Sequence, residues 1–404
     1  MQETIPSIVK ISGKVQHYAW GGFEFIPNLL GFDNIEKKPC AEYWMGAHPS
    51  ASSIINDFQQ PLNELIELDK DKFLTPKINQ LFGELPFLFK VLDVKEMLSI
   101  QVHPTKEEAV KGFEKEEQLG IPINASHRNY KDKNHKPEIM IALGEFWLLH
   151  GFLSIDKIEA VLNSYPEFAS LQPHFSTKSI KQLMEFVYNL PQQEVDNILK
   201  PLLLRENDNK KAGKLTKHHP GWWACKTFEV IDASICNIDK GIFSIYLFNI
   251  VQVQRGEAVF QAAGVPHAYL EGQNIELMAN SDNVLRGGLT PKHVDVPELL
   301  KHTIFEPVIP NIMKGNLVDS FETNYPCPVP DFDISLIKMN ANDTFNSVSI
   351  SPQIIINVDG EVLISFNQQH LVLSKGEVCF IQPHTSYTLR VETGCVELYK
   401  AYVS

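Results

Sequence analysis

The feature that most constrains this chain is a stretch that occurs twice. GEAVFQAAGVPHAY begins at Gly256 and GEVCFIQPHTSY at Gly376, both follow β-rich sequence, and both end on a tyrosine. Self-similarity of this kind marks one supersecondary unit used more than once. Two related β-barrels are therefore expected. Counting back from the tyrosines sets His267 against Thr385, with His384 offset by one and the second copy two residues shorter. Chemistry that needs a histidine at this position belongs to the first copy, and the second is expected to be structural.

The rest of the chain changes period around these copies. Up to about Gly151 the apolar runs are short and broken by Gly and Pro (SIVKISGKVQ, PFLFKVLDV, PEIMIAL, FWLLHGF), a strand-rich pattern. Thr105 and Glu108 form a Thr-x-x-Glu capping box after Pro104, which predicts one helix ending at Gly120. From about Ser154 to Leu204 the period turns helical, with Ile180, Leu183, Phe186, Val187 and Leu190 on one face. A further helix carrying Val195, Ile198 and Leu199 is expected to end near Pro201, where the ring removes a helical hydrogen bond. The polar run ENDNKKAGKLTKHH then reads as an exposed linker, and strands return after Trp222 and again from Pro328 to Ser404. Many short strands at near-regular spacing indicate sandwich or barrel packing.

Composition excludes several functions. With 44% hydrophobic and 21% charged residues over 404 positions, the chain has the make-up of a soluble globular protein of two or three domains. A net charge of -13 without a basic stripe disfavours nucleic acid and anionic membrane as partners. A small phosphorylated ligand remains possible, because a few local cations hold a phosphate. Six scattered cysteines without CxxC pairs read as reduced thiols, and no basic-then-apolar leader or 18-residue apolar run is present, so a cytoplasmic protein is expected.

Three distant segments carry the candidate chemistry. In Gln101-Val102-His103, residues two apart on a strand share a face, so an amide oxygen and an imidazole can aim at one point. In HKPEIMIAL, Glu138 enters an apolar run, and a carboxylate inside a barrel must be paired or metal-bound. In AGVPHAYLEG, Gly and Pro shape a turn that presents His267 at a barrel mouth. Each alone is ordinary, since histidines are commonly half-buried and strand-edge glutamates commonly exposed. Together, two His, one Glu and one Gln suit zinc, iron(II) or manganese(II), and donor chemistry alone does not choose among them.

VQHYAWGG (15–22), AEYWMGAHP (41–49), PFLFKVLDVKEMLSIQVHP (86–104), NHKPEIMIAL (134–143), GVPHAYLEG (264–272) and SDNVLRGGLTPK (281–292) resemble, in order, the signature segments of the type I mannose-6-phosphate isomerase family. The resemblance implies a cupin-type jelly-roll fold: residues 1–152 and 221–320 as a catalytic cupin domain, 153–220 as an inserted α-helical domain, and 321–404 as a C-terminal jelly roll without a metal site. It also implies one zinc per chain on Gln101, His103, Glu138 and His267, and an essential arginine at Arg286. The family commonly has Ala-Gly after that arginine. This chain has Gly287-Gly288, which is expected to loosen the loop because glycine adds backbone freedom.

The implied reaction interconverts mannose 6-phosphate and fructose 6-phosphate, linking hexose phosphates to GDP-mannose supply. It moves a proton between C2 and C1 through an enediol, which calls for a base and for positive charge at the developing oxyanion. Lys136 or Glu276 is the expected base, with His135, Tyr269 and Asp282 assisting ring opening or orientation. Ser99, Lys90 and Lys292 are the positions the resemblance offers for the phosphate, and a monomer is expected. Two other readings compete: a non-catalytic sugar-binding or regulatory cupin, since fold does not fix function, and a cupin metal oxygenase, disfavoured because two His, Glu and Gln are not the facial triad.

Overall fold

The computed structural model describes residues 5–403, and its architecture is mainly β with a helical insert. A ten-stranded antiparallel assembly draws its strands from Lys14 to Arg286, and a nine-stranded sheet facing a four-stranded one is built mostly from the C-terminal part. These are the two jelly-roll assemblies the repeat foretold. Gly256 and Gly376 adopt the same left-handed conformation, φ +83° each. Each starts the turn into a four-residue strand, Ala258–Gln261 or Val378–Ile381. The conformation needs glycine, and at Gly376 a Cβ would also lie 2.0 Å from the Leu29 carbonyl.

In the first assembly one strand, His267–Ala279, turns the corner that shapes the site. Its first residues pair with Phe146–Phe152 (His267 opposite His150), and its later ones lie between Phe87–Val94 and Glu138–Ala142 (Glu276 opposite Lys90 and Met140). The register shifts between Tyr269 and Glu271, and Gly272 takes φ +125° where a Cβ would meet the Glu145 carbonyl at 2.6 Å. A bulge and a glycine together bend a strand that would otherwise run straight out of the sheet.

The neighbouring strand Phe87–Val94 is buried along its whole length. Its outward side chains Phe87, Phe89 and Val91 pack against Val9, Ile356, Phe380 and Tyr399 of the second assembly. Its inward Leu92 and Val94 join Met140, Ala142, Phe146, Leu148, Val251 and Val259 in an apolar floor inside the first assembly. Lys90, inward-facing one step before Leu92, lies where that floor gives way to polar side chains.

One strand near the N-terminus leaves the β portion in which its sequence position sets it. Ile8–Ser12 pairs with Val378–Ile381, Ile8 opposite Ile381. Ile8 fills the core of the second assembly while Val9 and Ile11 enter the core shared with the first. A strand apolar on both faces is stable only between two layers, and this position supplies both.

The helical block comprises Ile155–Ser164, Ile180–Asn189, Gln192–Lys211, Pro220–Lys226 and Gly241–Leu247 around one core. Here the reading of Pro201 as a helix end is corrected: the helix runs on to Lys211, and Glu206, placed by sequence in an exposed linker, is buried. Proline costs roughly 3 kcal/mol in a helix interior, but buried Leu199, Leu202 and Leu203 each contribute about 1.5–3 kcal/mol. Packing outweighs propensity. The helix Lys106–Gln118 does start at Thr105, whose hydroxyl accepts from the Glu108 N–H. Glu108 completes no reciprocal box; its carboxylate goes to Lys111 and Lys301.

Candidate metal centre and active site

Three ligand-capable side chains converge at the polar end of the first assembly. His103, Glu138 and His267 are all buried, and one donor atom from each lies within 4.8 Å of the others. Glu138 Oε1 is 3.5 Å from His103 Nε2 and Oε2 is 3.3 Å from His267 Nε2. Both imidazoles are oriented from behind: His103 Nδ1 pairs with the Asn283 carbonyl at 2.9 Å and His267 Nδ1 with the Val265 carbonyl at 3.0 Å. Carbonyls only accept, so each Nδ1 carries the proton and each Nε2 presents a lone pair to Glu138. Burial pushes the His103 imidazolium down to about 4, which keeps the ring neutral. The His103 Nε2 is buried and has no hydrogen-bond partner.

An unpartnered buried nitrogen beside a carboxylate and a second imidazole is a costly arrangement in apolar surroundings and a favourable one around a divalent cation. The residues fit the metal that the sequence implied. Gln101 is half-buried and stands opposite both His267 and Arg286 in the ladder, so the short strand Gln101–Val102 links the ligand cluster to the arginine.

Below the cluster runs a ladder of buried charges. Lys136 Nζ is 2.8 Å from Glu138 Oε1. Lys90 Nζ is 3.1 Å from Glu276 Oε2 and 3.4 Å from Glu42 Oε2, and Glu42 also accepts from the Trp44 indole N–H. Burial alone would lower the Lys90 proton affinity, but Glu42, Glu276 and Glu138 outweigh it and hold the ammonium well above its ordinary range. For Glu276 burial raises the carboxyl, Lys90 opposes, and Glu138 adds to the rise, so the group titrates above an ordinary glutamate. Burial would also raise Glu138, but Lys136 and the two imidazoles hold it well below the usual carboxylate range. Two buried glutamates that feel each other thus have proton affinities driven in opposite directions.

Arg286 sits at the rim, half-buried, and has no carboxylate within ion-pairing distance among the described residues. Burial lowers its proton affinity; Lys292 is lowered by burial and by Arg286, and Lys131 by burial, Arg128 and Arg286. Lys292 and Lys131 thus both lie within electrostatic reach of Arg286, with Glu116 and Asp282 acting on Lys131 in the opposite sense.

Residues 8–155 match the catalytic domain of type I phosphomannose isomerase. A mannose-6-phosphate isomerase of Salmonella typhimurium is 39% identical over 380 residues, covering 92% of this chain and 94% of the relative. The one from Homo sapiens is 34% identical, with 96% of each chain covered. The chain belongs to the type I phosphomannose isomerase family. Among solved structures, the Salmonella typhimurium enzyme bound to fructose 6-phosphate and zinc has a TM-score of 0.87 at 36% identity, over 99% of this chain and 100% of that one. A mannose 6-phosphate isomerase bound with zinc and yttrium has the same score, identity and coverage.

The other site residues anticipated from sequence have the following surroundings. Lys90, read as a phosphate donor, is committed to two buried carboxylates, because a cation on a strand buried on both faces must find acids there. His135 Nε2 is held 3.0 Å from the buried Asp331 carboxylate and so ties the site segment to the second assembly. Tyr269 lies at the edge of the apolar floor, edge-on to Phe146, with its phenol raised by burial and by Glu276. Asp282 is exposed at the rim, 3.6 Å from His48. The Ser99 hydroxyl is half-buried.

The Gly287-Gly288 loop, expected to be loose, is pinned. Gly287 N–H donates to the Ile100 carbonyl at 2.8 Å, and Ile100 N–H to the Gly288 carbonyl at 3.0 Å. Sequence reasoning missed Glu42, His48 and Asn283. A charged residue inside the apolar run EYWMG was the available signal for Glu42. None existed for Asn283, whose buried side chain holds the backbone of Lys131, Asp132 and Asn134 while its carbonyl orients His103.

Proposed function

We propose that this chain catalyses the reversible isomerisation of mannose 6-phosphate and fructose 6-phosphate, with zinc held by Gln101, His103, Glu138 and His267. The observation that carries the reading is the unpartnered His103 Nε2 facing Glu138 and His267, next to a glutamate whose proton affinity is raised. The relative solved with fructose 6-phosphate and zinc supports it. Zinc, when bound, supplies positive charge where an enediolate oxygen develops.

The remaining work falls to the chain itself. Glu276 is the base: a buried carboxyl whose proton affinity is raised is better matched to removing the C2 proton and returning it at C1 than one held low. Lys136, ion-paired to Glu138, is the donor to a substrate oxygen. Arg286 and Lys292, with Lys131 beside them, hold the phosphate or the oxyanion, and the Ser99 hydroxyl lies on the segment leading to Gln101. The apolar floor of Leu92, Met140 and Leu148 keeps water from reaching the site from below. No helix among the described residues is long and apolar enough to cross a membrane, and free cysteines accord with a reducing, cytoplasmic setting.

A coupled assay with mannose 6-phosphate before chelation, after it, and with zinc restored tests the activity and its metal. Substrate incubated in deuterated water tests the base: Glu276→Gln is expected to abolish exchange at C2 with zinc retained. Exchange at the wild-type rate would remove Glu276 from that role.

A further inference from the structure

The helical block reaches the active site through one carboxylate. Asp239, on the segment leading into the helix Gly241–Leu247, accepts three backbone N–H bonds. Two come from the loop that follows Arg286: Leu289 N–H to Oδ1 at 2.8 Å and Thr290 N–H to Oδ2 at 3.1 Å. The third is Gly241 N–H to Oδ1 at 2.6 Å. A second contact from the same block is the hydroxyl of buried Tyr188, which donates to the Gly287 carbonyl at 2.9 Å.

The loop needs such a hold. Gly288 has φ +118° and Leu289 φ +56°, so two consecutive residues lie where L side chains are disfavoured. A Cβ on Gly288 would lie 2.6 Å from the Gly241 Cα and 2.8 Å from Asp239 Oδ1, so the two backbones touch and the carboxylate fills the gap between them. Such a conformation persists only where its surroundings impose it. Arg286 lies three residues before Leu289 and Lys292 two after Thr290, so the carboxylate fixes the backbone between the two cations.

We propose that Asp239, assisted by Tyr188, is a positioning residue that sets the spacing of Arg286 and Lys292 for the substrate's phosphate, and that this is how the helical block serves the reaction. The inference rests on the reading of those two cations as the anion site. It predicts that loosening the carboxylate weakens phosphate recognition while sparing His103, Glu138 and His267, whose side-chain contacts lie outside residues 287–290.

The test uses zinc-loaded enzyme with inorganic phosphate as a competitive probe. Asp239→Ala is expected to raise both the KM for mannose 6-phosphate and the phosphate inhibition constant by about 10 to 100-fold, the scale of an ångström-level misplacement, with zinc content unchanged. Asp239→Asn keeps an oxygen for Gly241 and Leu289 but turns an amide toward Thr290; it guards against a variant that fails to fold and is expected to show a smaller shift in the same direction. The combination of Asp239→Ala with Lys292→Met is expected to fall short of the product of the single effects, because both act through one loop. Wild-type phosphate inhibition in folded Asp239 variants, or full additivity with Lys292→Met, would overturn the inference alone. Wild-type inhibition in Arg286→Lys and Lys292→Met would overturn the reading beneath it.

Discussion

Replacing Lys90 with methionine isolates the buried charge ladder. The ammonium lies 3.1 Å from Glu276 and 3.4 Å from Glu42, and at an effective dielectric of about 20 each contact is worth about 5 kcal/mol before desolvation. Burying the ammonium offsets much of this, so the net worth of the pair is small. Removing one partner is not small: it leaves two carboxylates without their cation, and the expected loss is about 3–5 kcal/mol at pH 8. The chain can respond by protonating a carboxyl, and Glu276 is already raised with Lys90 in place. A carboxyl whose folded proton affinity exceeds its unfolded one carries no penalty below its unfolded pKa, and the penalty grows as pH rises toward the folded value. A loss of that size corresponds to a carboxyl raised by about 2–4 pKa units. The deficit of Lys90→Met relative to wild type, from denaturant midpoints of zinc-loaded protein, should therefore shrink from about 3–5 kcal/mol at pH 8 to about 1–2 kcal/mol at pH 5.5. An equal deficit at both pH values, or one below about 1 kcal/mol throughout, would refute the account of Glu42, Lys90 and Glu276 as a buried ionic unit.

Three further outcomes are expected. His103→Ala and His267→Ala should each weaken zinc binding by at least about 10 to 100-fold in a chelator competition, and zinc retained at wild-type affinity in both would remove them from the ligand set. Gly288→Ala should cut turnover strongly and lower the thermal midpoint, since its Cβ would lie 2.6 Å from the Gly241 backbone in a left-handed conformation, whereas Gly287→Ala, whose Cβ meets the side chains of Ile100 and Tyr188 at 3.0 Å, should cost less; equal behaviour of the two would contradict the loop geometry. Buried His150, depressed to about 4 by burial, must stay neutral in the fold while it charges when unfolded, so stability falls as pH drops from about 6.5 to 4. His150→Gln should flatten that slope, and an unchanged slope would show that His150 does not contribute to it.

How much of this was legible beforehand varies with the distance over which each feature is decided. The repeat at Gly256 and Gly376 was readable because a left-handed turn glycine and its flanking strand are local requirements, and both copies show the same φ. The Thr105 cap was readable for the same reason. His103, Glu138 and His267 could be grouped from strand alternation and family-like segments, because each segment's own periodicity sets which face a side chain takes, and the three do converge. What the sequence could not express is partnership between distant strands. Nothing local to Lys90 says that Glu42 and Glu276 flank it, because that outcome is settled by register across three strands. Pro201 stayed helical because buried leucines on its own helix outweigh the proline, which only the packed core decides. The loop after Arg286, judged loose from two glycines, is held by Tyr188 of the helical insertion and by Asp239 beyond it, neither of which lies in a recognisable motif. The sequence by itself determined which chemical groups exist and which face of each strand carries them. Tertiary structure alone decided which charges meet, because in a low-dielectric interior the energy of a buried charge depends on neighbours that lie tens to hundreds of residues away.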